Sequence, residues 1–482
     1  MYSELTRYKI IRVRFVSRNR CCVNRLFKLK TKISEMESGN SSSGMQFAGW
    51  WPEYILDHRQ LPPYVVTIAG VMRMYDTYTW LQALGVLLLL ILFYYYLILP
   101  MNYVKDLSDV GYGHLFDGGI GLAQRKGRSK RELVKEVRRL RKIGNLPPVY
   151  PNGWFMLLES DVLAAGQVKH VAALGENFAV FRTRAGVVHV LDAYCPHLGA
   201  NMAVGGAVRG DCIECPFHGW RFKGEDGKCT IVPYSEKVPE FARVKSWTSC
   251  EVNQFIFVWY HAEGEPPSWQ PMIIPDIHNK KWSYRGRNEF LINAHIQEIP
   301  ENGGDVAHLN AIHGPSLFAG SDLRFSERIL HRFARHVWTA QWQPHETKPY
   351  QGTMHLHHEV QLLKKIPLVT MDVRAEQIGP AYVELYLNSS FGPITILQTV
   401  TPVEPLLQRL VHRIYCPPHL FFYANFVLYG ESVMVERDIM VWNHKKYIEK
   451  PLLVKEDQSI RRHRRWYNQF YSENSPQFMD AT

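Results

Sequence analysis

From Trp80 to Leu99 the chain is almost wholly apolar and uncharged, with Leu87, Leu88, Leu89, Leu90, Ile91 and Leu92 in one run and Tyr94, Tyr95 and Tyr96 near its end. About twenty such residues match a bilayer's hydrocarbon thickness. Aromatic side chains near one end suit a membrane–water boundary, and Pro100 stops a helix. The pattern predicts a transmembrane helix over 80–99; the alternative, a buried core helix, rarely stays apolar for so long. Beyond Pro147, Pro148 and Pro151 the pattern changes. Short runs such as Phe178-Ala179-Val180-Phe181 and Val187-Val188-His189-Val190 are broken by Gly and Pro, which predicts a small antiparallel β domain over 151–262. The region from Leu291 to Trp442 opens with a helical segment. It continues with alternating strands at Thr353 to Leu362, Val369 to Glu376 and Val383 to Leu387, and closes on a second helix. The expected class is α+β, with helices flanking an antiparallel sheet over 263–482.

Charge adds detail at the N-terminal side. The net charge of +11 sits largely in two blocks rather than in a recognition fold, which argues against nucleic acid. The first block, Arg7 to Lys28, is Arg-rich and poor in acids. It reads as a disordered basic tail running into the linker Ser38-Gly39-Asn40-Ser41-Ser42-Ser43-Gly44, or as a mitochondrial presequence. Residues 1–79 therefore form a tail and linker, with Met36 and Met45 as alternative starts. The second block, Arg125 to Lys142, lies in a juxtamembrane segment over 100–150. Ser129 and Glu132 make a capping box, Leu133, Val137 and Leu140 share a helix face, and Gly144 supplies a stop. Such a basic helix would lie on anionic lipid or stand in solvent. The block places the C-terminal side in the cytosol, the expected site being the endoplasmic reticulum membrane crossed once.

The chemistry is concentrated in two short segments, Cys195-Pro196-His197 and Cys215-Pro216-Phe217-His218. Two thiolates and two imidazoles, with one of each from either hairpin, fit a [2Fe–2S] cluster in which two Cys hold one iron and two His the other. Zinc is the competitor, but structural zinc sites more often space like ligands together. The other cysteines, Cys21, Cys22, Cys212, Cys229, Cys250 and Cys416, show no disulfide framework and suit a reducing compartment.

The runs Cys195-Pro196-His197-Leu198-Gly199-Ala200 and Cys215-Pro216-Phe217-His218-Gly219-Trp220 resemble the Rieske oxygenases. The respiratory and photosynthetic Rieske proteins place an extra, disulfide-bonded Cys in each loop, where this chain has Ala200 and Phe217. The resemblance implies a second, mononuclear iron, and Asn302, Asp305, His308 and His313 reproduce that family's Asn-x2-Asp-x2-His-x4-His pattern. Two His and one carboxylate with open positions make the facial triad of non-haem Fe(II) oxygenases. A helix through this segment would put Asp305 and His308 on one face. The resemblance assigns the third ligand to Asp438, with Glu436 and Glu431 close in sequence, and makes Asp305 a bridge to a Rieske His of the neighbouring protomer in a homotrimer. It also implies a helix-grip catalytic domain.

Together, the apolar anchor, the run Glu301-Asn302-Gly303-Gly304-Asp305-Val306-Ala307-His308-Leu309-Asn310 and the tail Asp438-Ile439-Met440-Val441-Trp442 resemble the Neverland family of animal cholesterol 7-desaturases. The bacterial 3-ketosteroid 9-hydroxylases share much of the catalytic pattern without the anchor. The first resemblance implies conversion of cholesterol to 7-dehydrocholesterol with O2, on the route to ecdysteroid-type hormones. A hydroxylase or demethylase of another hydrophobic substrate and a non-enzymatic electron carrier are the alternatives; a carrier needs no open iron site. Gly119-Ile120-Gly121 lacks the third Gly of a dinucleotide fingerprint and follows no clear strand. Electrons from NAD(P)H are therefore expected through a separate flavin or ferredoxin reductase.

Overall fold

The computed structural model describes residues 63–115, 128–325, 334–363 and 366–480, and for 63–77, 96 and 97 the backbone alone. The N-terminal tail lies outside the described residues, as do Arg125 and Lys126 of the second basic block. The apolar run folds as helix α1, Pro63–Phe93, followed by a π-helical turn at Tyr94–Ile98. It starts upstream of the expected Trp80, where Pro63 takes the first helical position that proline tolerates, and stops before the expected Leu99. Leu84, Val86 and every residue from Leu87 to Phe93 are exposed. Among the described residues no helix is long and apolar enough to cross a membrane, so the expected spanning helix is not found there.

After two intervening residues, Leu99 and Pro100, the chain enters strand β1, Met101–Lys105. Its partner is β2, Ser283–Ile292, with Met101 opposite Gly286 and Lys105 opposite Phe290 in parallel register. Gly286 makes that approach possible, because a Cβ there would stand 2.5 Å from the Met101 carbonyl oxygen. The remaining strands are β3 (Ala334–Pro344), β4 (Gln351–Leu362), β5 (Ile366–Ile378), β6 (Tyr382–Ser389), β7 (Gly392–Glu404) and β8 (Leu407–Cys416). They form one eight-stranded sheet in the order β1-β2-β8-β7-β6-β5-β4-β3. All pairings beyond β1–β2 are antiparallel, as the α+β reading expects. The three strands expected between Thr353 and Leu387 are β4, β5 and β6, each longer than its apolar core.

Helix α2, Lys130–Leu140, has the expected capping box between Ser129 and Glu132. It ends ahead of Gly144 and buries Leu133 and Val134, while Leu140 is exposed. Arg138 and Arg141 turn to protein: Arg138 donates to Asn293 at 3.3 Å and Arg141 to the Lys445 carbonyl at 2.8 Å.

The segment 153–260 is built of short antiparallel strands in three small sheets. Its core is continuous with that of the large sheet: Phe155, Leu157 and Tyr260 pack in one cluster with Phe290, Ile292, Val400 and Leu410. The chain's end returns to it, where Val149 N–H donates to the Pro476 carbonyl and Asn152 N–H to that of Phe470.

Three more helices of at least seven residues frame the sheet: α3 (Val306–Ile312), α4 (Phe421–Trp442) and α5 (Gln458–Tyr467). The long α4 lies against β2 and β8. Between α4 and the sheet is an apolar layer containing Trp338, Leu356, Val373, Leu387, Ile414 and Leu428.

Candidate metal centres

The two Cys-His hairpins are built alike. In the first, Cys195 N–H donates to the Ala200 carbonyl and Gly199 N–H to that of Cys195, both at 2.9 Å; in the second, Cys215 pairs with Trp220 at 2.8 Å and Gly219 with Cys215 at 3.1 Å. Gly199 and Gly219 turn with φ of 73° and 74°, a conformation that costs glycine little. Both thiols are buried and adjoin each other, and burial pushes the Cys195 thiol up to about 11. The His197 and His218 rings meet edge to face at 4.7 Å. Trp220 stacks flat on His197, also at 4.7 Å, and donates its indole N–H to the Tyr234 hydroxyl. Two buried sulfurs beneath two outer imidazoles are the donor set a Rieske [2Fe–2S] cluster requires.

The second constellation joins two distant segments. His308 lies on α3, His313 just beyond its end and Asp438 on α4, and their ligating atoms all fall within 4.8 Å of one another. His313 Nε2 is 3.2 Å from Asp438 Oδ2, and the two side chains are only 6% and 9% exposed. His313 Nδ1 and Asp438 Oδ1 are buried without a hydrogen-bond partner, a costly state for polar atoms that a metal's charge would relieve. His308 Nδ1 is bonded to the Asp305 main-chain carbonyl, which leaves its Nε2 for a metal. Two imidazoles and a carboxylate with space between them fit Fe(II).

Asp305 does not ride on the helix face with His308. It is the N-cap of α3 (φ −91°, ψ 83°), and its carboxylate accepts from His308 N–H at 3.3 Å. Asp at this place satisfies an orphan amide and suits the helix's positive end. Within this chain no hydrogen bond links Asp305 to either Rieske histidine among the described residues. The preceding motif residues serve packing. Glu301 is gripped in two places by Arg464 of α5, at 2.6 and 3.0 Å, and a Cβ on Gly304 would stand 2.7 Å from the His463 Cβ.

The other two carboxylates on α4 are engaged elsewhere. Glu436 accepts from the Tyr103 hydroxyl of β1 at 2.6 Å. Glu431 lies against Asn288 and His412, 3.0 Å from the latter.

Sequence reasoning passed over Arg437, whose neighbour Asp438 drew attention first. Its guanidinium is 1% exposed and donates to four main-chain carbonyls: Ile312 at 3.3 Å, Pro315 at 2.9 Å, Ser316 at 2.9 Å and Gly320 at 3.0 Å. Successive residues of α4 thus hold the loop and face the metal position, and the only signal was a single basic residue in a mainly apolar helix that otherwise carries only acidic charges. Equally unforeseen is the His336–His358 pair, joined at 2.8 Å and stacked with Trp338. Burial lowers His336 to about 4 and His358 to about 3, so both are neutral.

Residues 153–242 match the family model of the Rieske [2Fe-2S] domain, and residues 258–471 match that of the 3-ketosteroid 9alpha-hydroxylase C-terminal domain. The cholesterol 7-desaturase of Xenopus laevis is 46% identical over 433 residues, covering 89% of this chain and 93% of that protein. That of Drosophila melanogaster is 46% identical over 358 residues, covering 73% and 83%. The oxygenase component of the 3-ketosteroid-9-alpha-monooxygenase of Mycolicibacterium smegmatis is 31% identical, covering 68% and 84%. Among solved structures, dicamba monooxygenase bound to dicamba aligns with a TM-score of 0.53 at 14% identity, over 67% of this chain and 98% of its own, a likeness of fold. With two Cys-His hairpins, a separate His-His-Asp set and this degree of kinship, the chain belongs to the cholesterol 7-desaturase family of Rieske oxygenases.

Proposed function

We propose that this oxidoreductase converts cholesterol to 7-dehydrocholesterol, removing one hydrogen each from C7 and C8. The balance is closed by O2, which takes two electrons from the sterol and two from NAD(P)H through a separate flavin or ferredoxin reductase, giving two waters. The observation that carries the reading is the His308–His313–Asp438 set beside an apolar layer, the surroundings a rigid, nearly all-hydrocarbon substrate needs. When bound, the cluster supplies one-electron relay and the mononuclear iron oxygen activation.

The chain's own residues then have separable tasks. Cys195, His197, Cys215 and His218 hold the cluster; His308, His313 and Asp438 hold the iron; Arg437 keeps His313's loop in place. Asp305, fixed as a cap, is offered as the bridge to a Rieske His of the next protomer in a homotrimer. The exposed leucines of α1 favour anchorage in a membrane, in our reading the endoplasmic reticulum with the catalytic part in the cytosol.

Sterol mass spectrometry of cells expressing the chain tests this. Cholesterol should yield 7-dehydrocholesterol only with oxygen, a reductase and intact His308. A stable hydroxysterol as sole product would favour the second reading, a steroid hydroxylase, which the match to the 3-ketosteroid 9alpha-hydroxylase domain supports.

A further inference from the structure

The apolar surface of α1 continues past its end. Phe93 meets Phe422, the second residue of α4, with ring centroids 5.6 Å apart. From Phe422 the exposed side of α4 carries Phe426 and Tyr429, four and seven residues on, so the three share one stripe. Beside that stripe lies the loop behind His313: Leu317 Cδ1 is 3.1 Å from where a Cβ on Gly430 would stand, and the next residue, Phe318, is 89% exposed.

The surface also spreads across the sheet. Tyr423 packs on Phe391 in the turn between β6 and β7, centroids 4.7 Å apart, and Phe391 is 57% exposed. Ser390 of that turn reaches Thr370 at 3.3 Å. Thr370 leads along β5 to Leu368 and Ile366, both exposed, and Leu363, just past the end of β4, is exposed as well.

An exposed apolar area of this extent marks an interaction site. We infer that it is a lipid-docking surface of the catalytic domain, seating the edge of the layer between α4 and the sheet against the bilayer so that sterol passes from lipid toward His313. This rests on the membrane and sterol reading above. Two features select lipid over a protein partner. The surface runs on from the exposed leucines of α1, and it consists of turn tips and a helix stripe, which enter an acyl boundary more readily than they pair with a flat protein face. The layer behind is in reach because Tyr423, Val427 and Met371 pack against it while half-buried.

Photo-crosslinking of the full-length holoprotein in phosphatidylcholine–phosphatidylserine–cholesterol vesicles tests this. Azidophenylalanine is placed singly at Phe318, Phe391 and Phe426, at Leu88 of α1, and at Phe217 on the cluster hairpin as a control. Lipid adducts at 318, 391 and 426 but not at 217 are expected. Adducts to a second copy at those positions would replace the lipid by a subunit interface and overturn the inference. Lipid adducts at Leu88 alone would leave the membrane reading standing and this one refuted, and none at any position would remove both. As a second measure, the combined variant F318S/F391S/F426S should lower turnover of vesicle-held cholesterol relative to cyclodextrin-delivered cholesterol by about tenfold. An unchanged ratio would also refute the docking surface.

Discussion

Replacing Arg437 with Ala should release the iron-binding loop without touching a ligand. The side chain donates four hydrogen bonds from a fully buried position, and all four acceptors are carbonyls of the segment from Ile312 to Gly320. A bond from a charged donor contributes about 1.5–3 kcal/mol, so the naive sum lies well above the effect to be expected. The loop borders solvent at Phe318, and freed carbonyls there regain water. A loss of about 3–5 kcal/mol is the reasonable expectation, felt first as a displaced His313 and lost mononuclear iron. Arg437→Lys should fall between, because one ammonium cannot reach four spread acceptors. Metal analysis, Rieske EPR and thermal unfolding separate the outcomes. Arg437→Ala should keep the cluster signal, lose most of the second iron and melt several degrees lower. Iron content and melting equal to wild type would show that the loop holds itself and that the argument from buried donors fails.

His308→Ala, His313→Ala and Asp438→Ala should each lose mononuclear iron and product while leaving the Rieske spectrum intact; Glu436→Gln, whose partner is Tyr103, should keep its iron, and the reverse result would move the third ligand to Glu436. His197→Ala or Cys215→Ala should abolish the visible absorbance and reduced-state EPR of the cluster, since each hairpin serves both irons. Asp305→Asn should keep the α3 cap and both metals, because Asn caps as well as Asp, yet stop electron transfer to the iron; normal single-turnover kinetics would remove the bridge. His295 is fully buried, its Nδ1 accepts from Gln297 N–H and its Nε2 faces the Pro148 carbonyl, and burial lowers it to about 4. The folded state therefore binds fewer protons than the unfolded one, and stability present above pH 6.5 is lost as the pH falls toward 4. The advantage of wild type over His295→Gln in urea unfolding should shrink by about 2 kcal/mol between pH 7 and 5; a constant gap would argue against a neutral, capping imidazole.

Both donor sets were legible in the sequence because their chemistry is carried by residue type at short spacing: one Cys and one His per hairpin, and His308 five residues before His313. What surrounds them was less so. Asp305 looked like a residue on a helix face, and only the backbone reveals that the helix begins one residue later, making the same carboxylate its cap. Arg437 takes its meaning from carbonyls more than a hundred residues away, and a carbonyl leaves no trace in composition. Strand β1 was hidden for a related reason. Met101–Lys105 is five residues long and partly exposed, and its partner near Gly286 lies far along the chain, so no local alternation announced it. The apolar run was plain to read, but its ends were not, because the helix begins at Pro63 and gives way to a π-helical turn at Tyr94–Ile98, limits that hydropathy does not mark.

The main-chain bonds that close the two cluster hairpins involve no metal. Cys195 to Ala200 and Cys215 to Trp220 are paired backbone to backbone, and the glycines set the turns. Folding of the domain has therefore already fixed the loops, and cluster delivery has only four side-chain ends left to order. Maturation of this enzyme is then closer to filling a mould than to metal-driven folding, unlike a zinc finger, whose chain stays unfolded until its ion arrives. Burial pushes the Cys195 thiol up to about 11, so releasing its proton is part of the work of insertion. A cluster carrier that presents its sulfurs as already anionic ligands would exchange into such a site directly, and a domain stripped of its cluster would keep its shape and wait to be reloaded.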